Sequence, residues 1–103
     1  MNDETTWKRG HYTNGQLHWE IPYLNDQLHG IARAWHSNGQ LAYETPFVND
    51  QRHGIRKHWK EDGMLWSIEK FHRDQRLIDI EFDPVPADSM MELDLITNNM
   101  TYE

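Results

Sequence analysis

An antiparallel β-meander of stacked hairpins, mainly β, with about seven strands on a 24-residue repeat and one short C-terminal helix, is the fold to expect from these 103 residues. Three features point to it. The first is internal repetition: NGQLHWEIPYLNDQLHGIARAW begins at Asn14, NGQLAYETPFVNDQRHGIRKHW at Asn38 and DGMLWSIEKFHRDQRLIDIEF at Asp62, each start 24 residues after the last. The second is a pair of turn signals in every copy. The third is alternation of apolar with polar residues, as in Leu17, Trp19, Ile21, Tyr23 and in Ile78, Ile80, Phe82, which suits a half-buried strand and not a helix.

Taken in chain order, Asn14-Gly15, Asn38-Gly39 and Asp62-Gly63 read as two-residue type I′ hairpin turns, because both central positions need positive φ and Asn, Asp and Gly tolerate it. Asn25-Asp26 and Asn49-Asp50 are weaker signals of the same kind. Between the turns lie seven segments rich in aromatic and β-branched residues, near 7–12, 17–23, 28–36, 41–47, 52–60, 65–71 and 76–82. Two-residue turns fix register, so Arg33 should face Glu44, Trp35 should face Ala42, Arg56 should face Glu69 and Trp59 should face Trp66. A three-residue loop or a bulge would flip that parity.

The third copy is degenerate. Ile78 stands where the first two have Gly30 and Gly54, and Trp66, Ile68, Ile78, Ile80 and Phe82 match Trp19, Ile21, Ile31, Arg33 and Trp35 at an offset of 47 instead of 48, the mark of a one-residue slip. Asp83-Pro84-Val85-Pro86 then ends the meander, since proline has no donor for a central strand. Ser89 and Glu92 fit a capping box before Leu93, Leu95 and Ile96, so a short helix is expected near 89–97, its apolar residues laid on one sheet face. The chain thus divides into a repeat domain over 1–83, with copies near 14–37, 38–61 and 62–83, and an acidic, proline-containing segment over 84–103.

Composition narrows the function. The apolar share is 37%, so the core is small for a single domain of this length. No run is long and apolar enough to span a bilayer and MNDETTWKRG is too polar for a signal peptide, so a cytoplasmic setting is expected. The lack of cysteine excludes a disulfide framework, a thiolate zinc site, an iron–sulfur cluster and a cysteine nucleophile. Charge is uneven: residues 1–78 balance, and the whole net charge of −7 falls on Asp79, Glu81, Asp83, Asp88, Glu92, Asp94 and Glu103. Such a segment repels phosphate backbones and anionic lipid, so direct nucleic-acid or membrane binding is not expected and a basic partner is favoured; the plainer reading is a solvated terminus that aids solubility.

Signals for catalysis are weak. The seven histidines, His11, His18, His29, His36, His53, His58 and His72, lie in the repeat region, and His29 and His53 are one repeat position beside a turn glycine. No HExxH, GxSxG, SxxK, GxGxxG or P-loop accompanies them, so no metal, cofactor or enzymatic activity is expected, and a pH-sensitive surface suits the histidines better. Glu20 and Glu44 recur with the repeat and read as cross-strand partners of basic residues. Trp7, Trp19, Trp35, Trp59 and Trp66 are core residues first. One sheet layer still leaves aromatic surface over, and aromatics interleaved with Arg33, Arg52, Arg56 and Lys57 suit a protein partner or a second copy of the chain.

The pattern Asn14-Gly15-Gln16-Leu17, Tyr23, Asn25, Gly30, Trp35, repeated at Asn38-Gly39-Gln40-Leu41, Phe47, Asn49, Gly54, Trp59, resembles the variant MORN repeat of bacterial YwqK-like antitoxin proteins over about residues 7–82. Departures are Asp26 and Asp50, where the family usually has glycine, and Ile78. The resemblance implies stacked hairpins in a curved sheet and a non-catalytic antitoxin or immunity protein, a stoichiometric inhibitor of a toxin or another basic, nucleic-acid-processing enzyme. The expected binding residues are Trp19, Trp35, Tyr43, Trp59, Trp66, Asp79, Glu81, Asp83, Asp88, Glu92 and Asp94. A self-associating scaffold, with a homodimer as its simplest form, is the alternative.

Overall fold

A computed structural model describes residues 4–85, all of them in one antiparallel sheet and its turns. The strands are β1 (Thr5–His11), β2 (Leu17–Leu24), β3 (Gln27–Leu28), β4 (Gly30–Trp35), β5 (Leu41–Val48), β6 (Gln51–Arg52), β7 (Gly54–Trp59), β8 (Leu65–His72) and β9 (Gln75–Val85). Their order is β1-β2-β4-β5-β7-β8-β9, with the two-residue β3 and β6 beside β2 and β5. Since β3 and β4 are one segment interrupted, as are β6 and β7, the seven-segment meander is what forms. The slab measures 41 × 40 × 20 Å. The expected helix near 89–97 lies outside the described residues.

The turns reverse the expected roles. Gly15, Gly39 and Gly63 have φ of 88°, 90° and 90°, but the residues before them do not share the positive φ. Each Asn or Asp side chain instead accepts from the backbone N–H two residues on, Asn14 from Gln16, Asn38 from Gln40 and Asp62 from Met64, at 2.9 to 3.0 Å. Gly39 N–H donates to His36 C=O and His36 N–H to Gln40 C=O, which closes a three-residue loop with glycine in the left-handed position. The type I′ turns are Asn25-Asp26, Asn49-Asp50 and Arg73-Asp74, with φ between 49° and 69°.

Each three-residue loop shifts register by one, and a bulge at once shifts it back. His11 pairs Leu17 but Gly10 pairs Trp19, Trp35 pairs Leu41 but Ala34 pairs Tyr43, and Trp59 pairs Leu65 but His58 pairs Ser67, so His18, Ala42 and Trp66 are the extra residues. Beyond the bulges the expected pairs return, Arg33 with Glu44 and Arg56 with Glu69. Trp35 therefore faces Leu41 and not Ala42, and Trp59 faces Leu65 and not Trp66, because two compensating irregularities sit between loop and strand.

The copies also lock to one another. Asp50 N–H donates to Leu28 C=O at 3.0 Å while its carboxylate accepts from Leu28 N–H at 2.8 Å. Asp74 repeats this on Arg52 at 2.7 and 3.3 Å and adds an ion pair to the Arg52 guanidinium at 2.6 Å. That pairing holds the exposed Asp74 carboxyl below its ordinary range. On the opposite side, Tyr12 Oη donates to Trp35 C=O at 2.7 Å and His36 Nε2 meets Trp59 C=O at 2.9 Å. Glycine cannot supply a carboxylate, which accounts for aspartate at 50 and 74.

The third copy departs in two linked places. Pro22 and Pro46 lie against Gly30 and Gly54, where an added Cβ would come within 3.2 and 3.0 Å of the proline Cγ. In the third copy Lys70 and Ile78 occupy these positions and pair directly. Without proline β8 regains a donor, and β9 runs unbroken from Gln75 to Val85. Ile68 pairs Ile80 where Glu20 pairs Arg33, so the one-residue slip is real in β9 but absent from β8. Pro84 lies within β9, tolerated because β9 is an edge strand among the described residues. The core sits off-centre, on Trp59, Leu65 and Ile68 with Leu41, Ile55 and Ile80 against them.

Candidate protein-binding face

Cross-strand partners share a sheet face, so the register sorts every side chain. Trp19, Ala34, Tyr43, His58, Ser67 and Glu81 form one row on what we term face I. Arg9, Glu20, Arg33, Glu44, Lys57, Ile68 and Ile80 form the adjacent row on face II. The face II row alternates in sign over its first five members, with Arg9–Glu20 at 3.2 Å, Arg33–Glu20 at 3.8 Å and Arg33–Glu44 at 2.8 Å. These partly exposed pairs add about 0.2 to 1 kcal/mol each and fix register. Glu20 and Glu44 thus have the structural partners expected of them.

Face I holds a groove along β4. Ala32 and Ala34 form its floor, Trp19, Ile21 and Tyr23 one wall, and Tyr43, Thr45 and Phe47 the other, enclosing about 350 Å³. Both walls lean away from the floor. The Trp19 ring covers Gly10 so closely that an added Cβ there would collide with it. The Tyr43 ring stacks on His58 at 4.0 Å with 9° between planes, and the Arg56 guanidinium lies 4.7 Å from it. The groove is open because its walls are held from behind.

A second, more polar cleft of about 300 Å³ adjoins it, lined by Tyr43, Arg56, His58, Trp66, Ser67, Glu69, Arg76, Asp79 and Glu81. Arg56 bonds Glu69 at 3.1 Å, and Arg76 bridges Glu69 and Asp79 at 3.4 and 3.5 Å. Arg56 Nε and Trp66 Nε1 are buried donors with no partner among the described residues. Burial holds the His58 pKa below its ordinary 6.5, the charges of Arg56 and His36 act the same way, and Glu69 opposes them. No group of three or more His, Asp or Glu among the described residues is arranged to hold a metal ion.

The sequence-derived binding residues are therefore divided. Trp19 and Tyr43 wall the groove, and Tyr43, Trp66, Asp79 and Glu81 meet around the second cleft. Asp83 lies exposed farther along β9. Trp59 is buried in the face II core and Trp35 pairs Leu41, which packs on that core, so these two do not join the others. Asp88, Glu92 and Asp94 lie outside the described residues. Sequence reasoning missed Ala32, Ala34, Phe47 and His58, while Arg56, one of the basic residues expected between the aromatics, lines both clefts. Small residues alternating between aromatic strands in Gly30-Ile31-Ala32-Arg33-Ala34-Trp35 were the available signal.

Among known families, residues 28–49 match the MORN repeat variant, a stretch running from β3 through β4 and β5 to the Asn49 turn. No curated protein and no solved structure matches the chain. The matched stretch carries the groove floor and one of its walls. The chain thus contains a MORN repeat variant at the centre of its sheet, flanked by hairpins of the same period.

Proposed function

We propose that this protein is a non-catalytic binding module of the antitoxin or immunity kind, a cytoplasmic stoichiometric inhibitor that takes a basic protein on face I. The observation that carries the reading is the convergence of Tyr43, Trp66, Asp79 and Glu81 on one cleft that continues into the Trp19–Tyr43 groove. Aromatic walls over an alanine floor can receive an apolar anchor of a partner, and the flanking carboxylates favour a basic rim around it. The unpartnered donors of Arg56 and Trp66 could meet acceptors that a partner brings.

The test is capture with tagged protein from host lysate at low and moderate salt, with the bound protein identified, its stoichiometry measured and its activity assayed with and without one equivalent of inhibitor. Tyr43→Ala is expected to weaken binding by about 2 kcal/mol, while Ile31→Ser on face II, at an exposed position, leaves it unchanged. Equal effects of the two substitutions, or a captured enzyme that stays fully active at saturation, would remove this reading.

A further inference from the structure

The two lateral edges of the sheet differ in charge. β1 pairs only with β2 and β9 only with β8 among the described residues, so each presents one unpaired side of backbone N–H and C=O groups. Exposed edges of this kind are templates for another strand, and charge is a common guard against that. β1 carries Lys8 and Arg9 and no acid; β9 carries Asp79, Glu81 and Asp83 against the single base Arg76. Pairing β1 with β1, or β9 with β9, sets like charges together, whereas β9 of one copy beside β1 of the next sets Asp79 and Glu81 on face I against Lys8 on the same face. The guard on each edge is thus an attraction toward the other.

From this complementarity we infer that a second copy of this chain docks edge to edge, β9 on β1, extending the sheet head to tail. Seven long strands alternate in direction, so β1 and β9 run the same way and copies related by simple repetition meet as parallel strands with face I continuing face I. On face I, Lys8 then lies near Asp79 and Glu81. On face II, the exposed Trp7 lies beside Ile78 and Ile80. The contact is heterologous, so it leaves a free acidic edge and a free basic edge at the ends and can grow beyond a dimer. It shares Asp79 and Glu81 with the rim of the second cleft but is tested by the protein's own association, whereas the inhibitor reading is tested by capture of a foreign partner, so the failure of one is distinguishable from the failure of the other.

The experiment is sedimentation velocity of the full chain over a range of concentrations at low and high salt, with Lys8→Glu, with Glu81→Lys/Asp83→Lys, and with the two variants mixed, each first shown to be folded by circular dichroism. Wild-type protein is expected to form a concentration-dependent series of species at low salt that dissolves at high salt. Each variant alone should associate about tenfold more weakly or not at all, and mixing them should restore association, because the mixture again offers opposite edges. A wild-type protein that stays monomeric at low salt overturns the inference. So does assembly indifferent to salt and to both reversals, or a mixture that associates no better than its parts.

Discussion

Arg73 holds a left-handed backbone, φ 49°, where the equivalent turns have Asn25 and Asn49. For a side chain without Asn's local hydrogen bonding that conformation costs about 1 to 2 kcal/mol. Its N–H donates to His53 Nδ1 at 3.4 Å, a bond asparagine would keep. Arg73→Asn should therefore stabilise the protein by about 0.5 to 1 kcal/mol, read as a higher urea midpoint; a lower midpoint would mean the arginine side chain does more than its backbone costs. His58 sets a pH limit at the same scale. Its folded-state pKa lies below 6.5, so the unfolded chain takes up this proton first as pH falls. The stability it allows is complete above pH 6.5 and is lost as pH drops through the folded pKa. His58→Phe keeps a ring against Tyr43 and should flatten the decline of unfolding midpoint on acidification; an unchanged slope would assign that decline to other groups.

At the scale of the hairpin, the aspartate clamp provides an internal control. Asp50 and Asp74 each hold two backbone groups of the copy before them, while Asp26, in the first copy, makes no such bond among the described residues. Asp50→Gly should destabilise by about 1 kcal/mol, because a bonded backbone N–H loses its acceptor. Asp26→Gly should be neutral or stabilising, since glycine accepts its φ of 65° more readily. Thermal melts of the two variants decide the point, and equal effects would argue against the clamp. The same hairpins explain what could be read without coordinates. Period, strand positions and the Arg33–Glu44 and Arg56–Glu69 pairs were legible because loop and bulge displace register by equal and opposite amounts. The turn types were not, because whether Asn38 adopts positive φ or uses its side chain on Gln40 is settled by a local hydrogen bond that Asn-Gly permits either way.

For the whole molecule, the decisive quantity hidden from the sequence was parity. Which aromatic reaches face I and which reaches the core depends on single extra residues at His18, Ala42 and Trp66, so a flat list of tryptophans mixed Trp19 and Trp66 with Trp59. The charge division was legible and has gained a location, since Asp79, Glu81 and Asp83 occupy one sheet edge. Face II, with its alternating ion pairs, and face I, with its aromatic groove, also differ in character: one maintains register and the other leaves an open apolar groove.

The repeat has a metric consequence as well. Each 24-residue unit contributes two long strands, and neighbouring strands lie about 4.8 Å apart, so equivalent side chains recur about every 9.6 Å across the sheet. Trp19 and Tyr43 are successive marks on that scale, displaced by one strand pair. Gain or loss of a unit would change the span of the surface by one such step while leaving the chemistry at each mark intact, so the sheet is marked off as a ruler is, in graduations set by strand spacing.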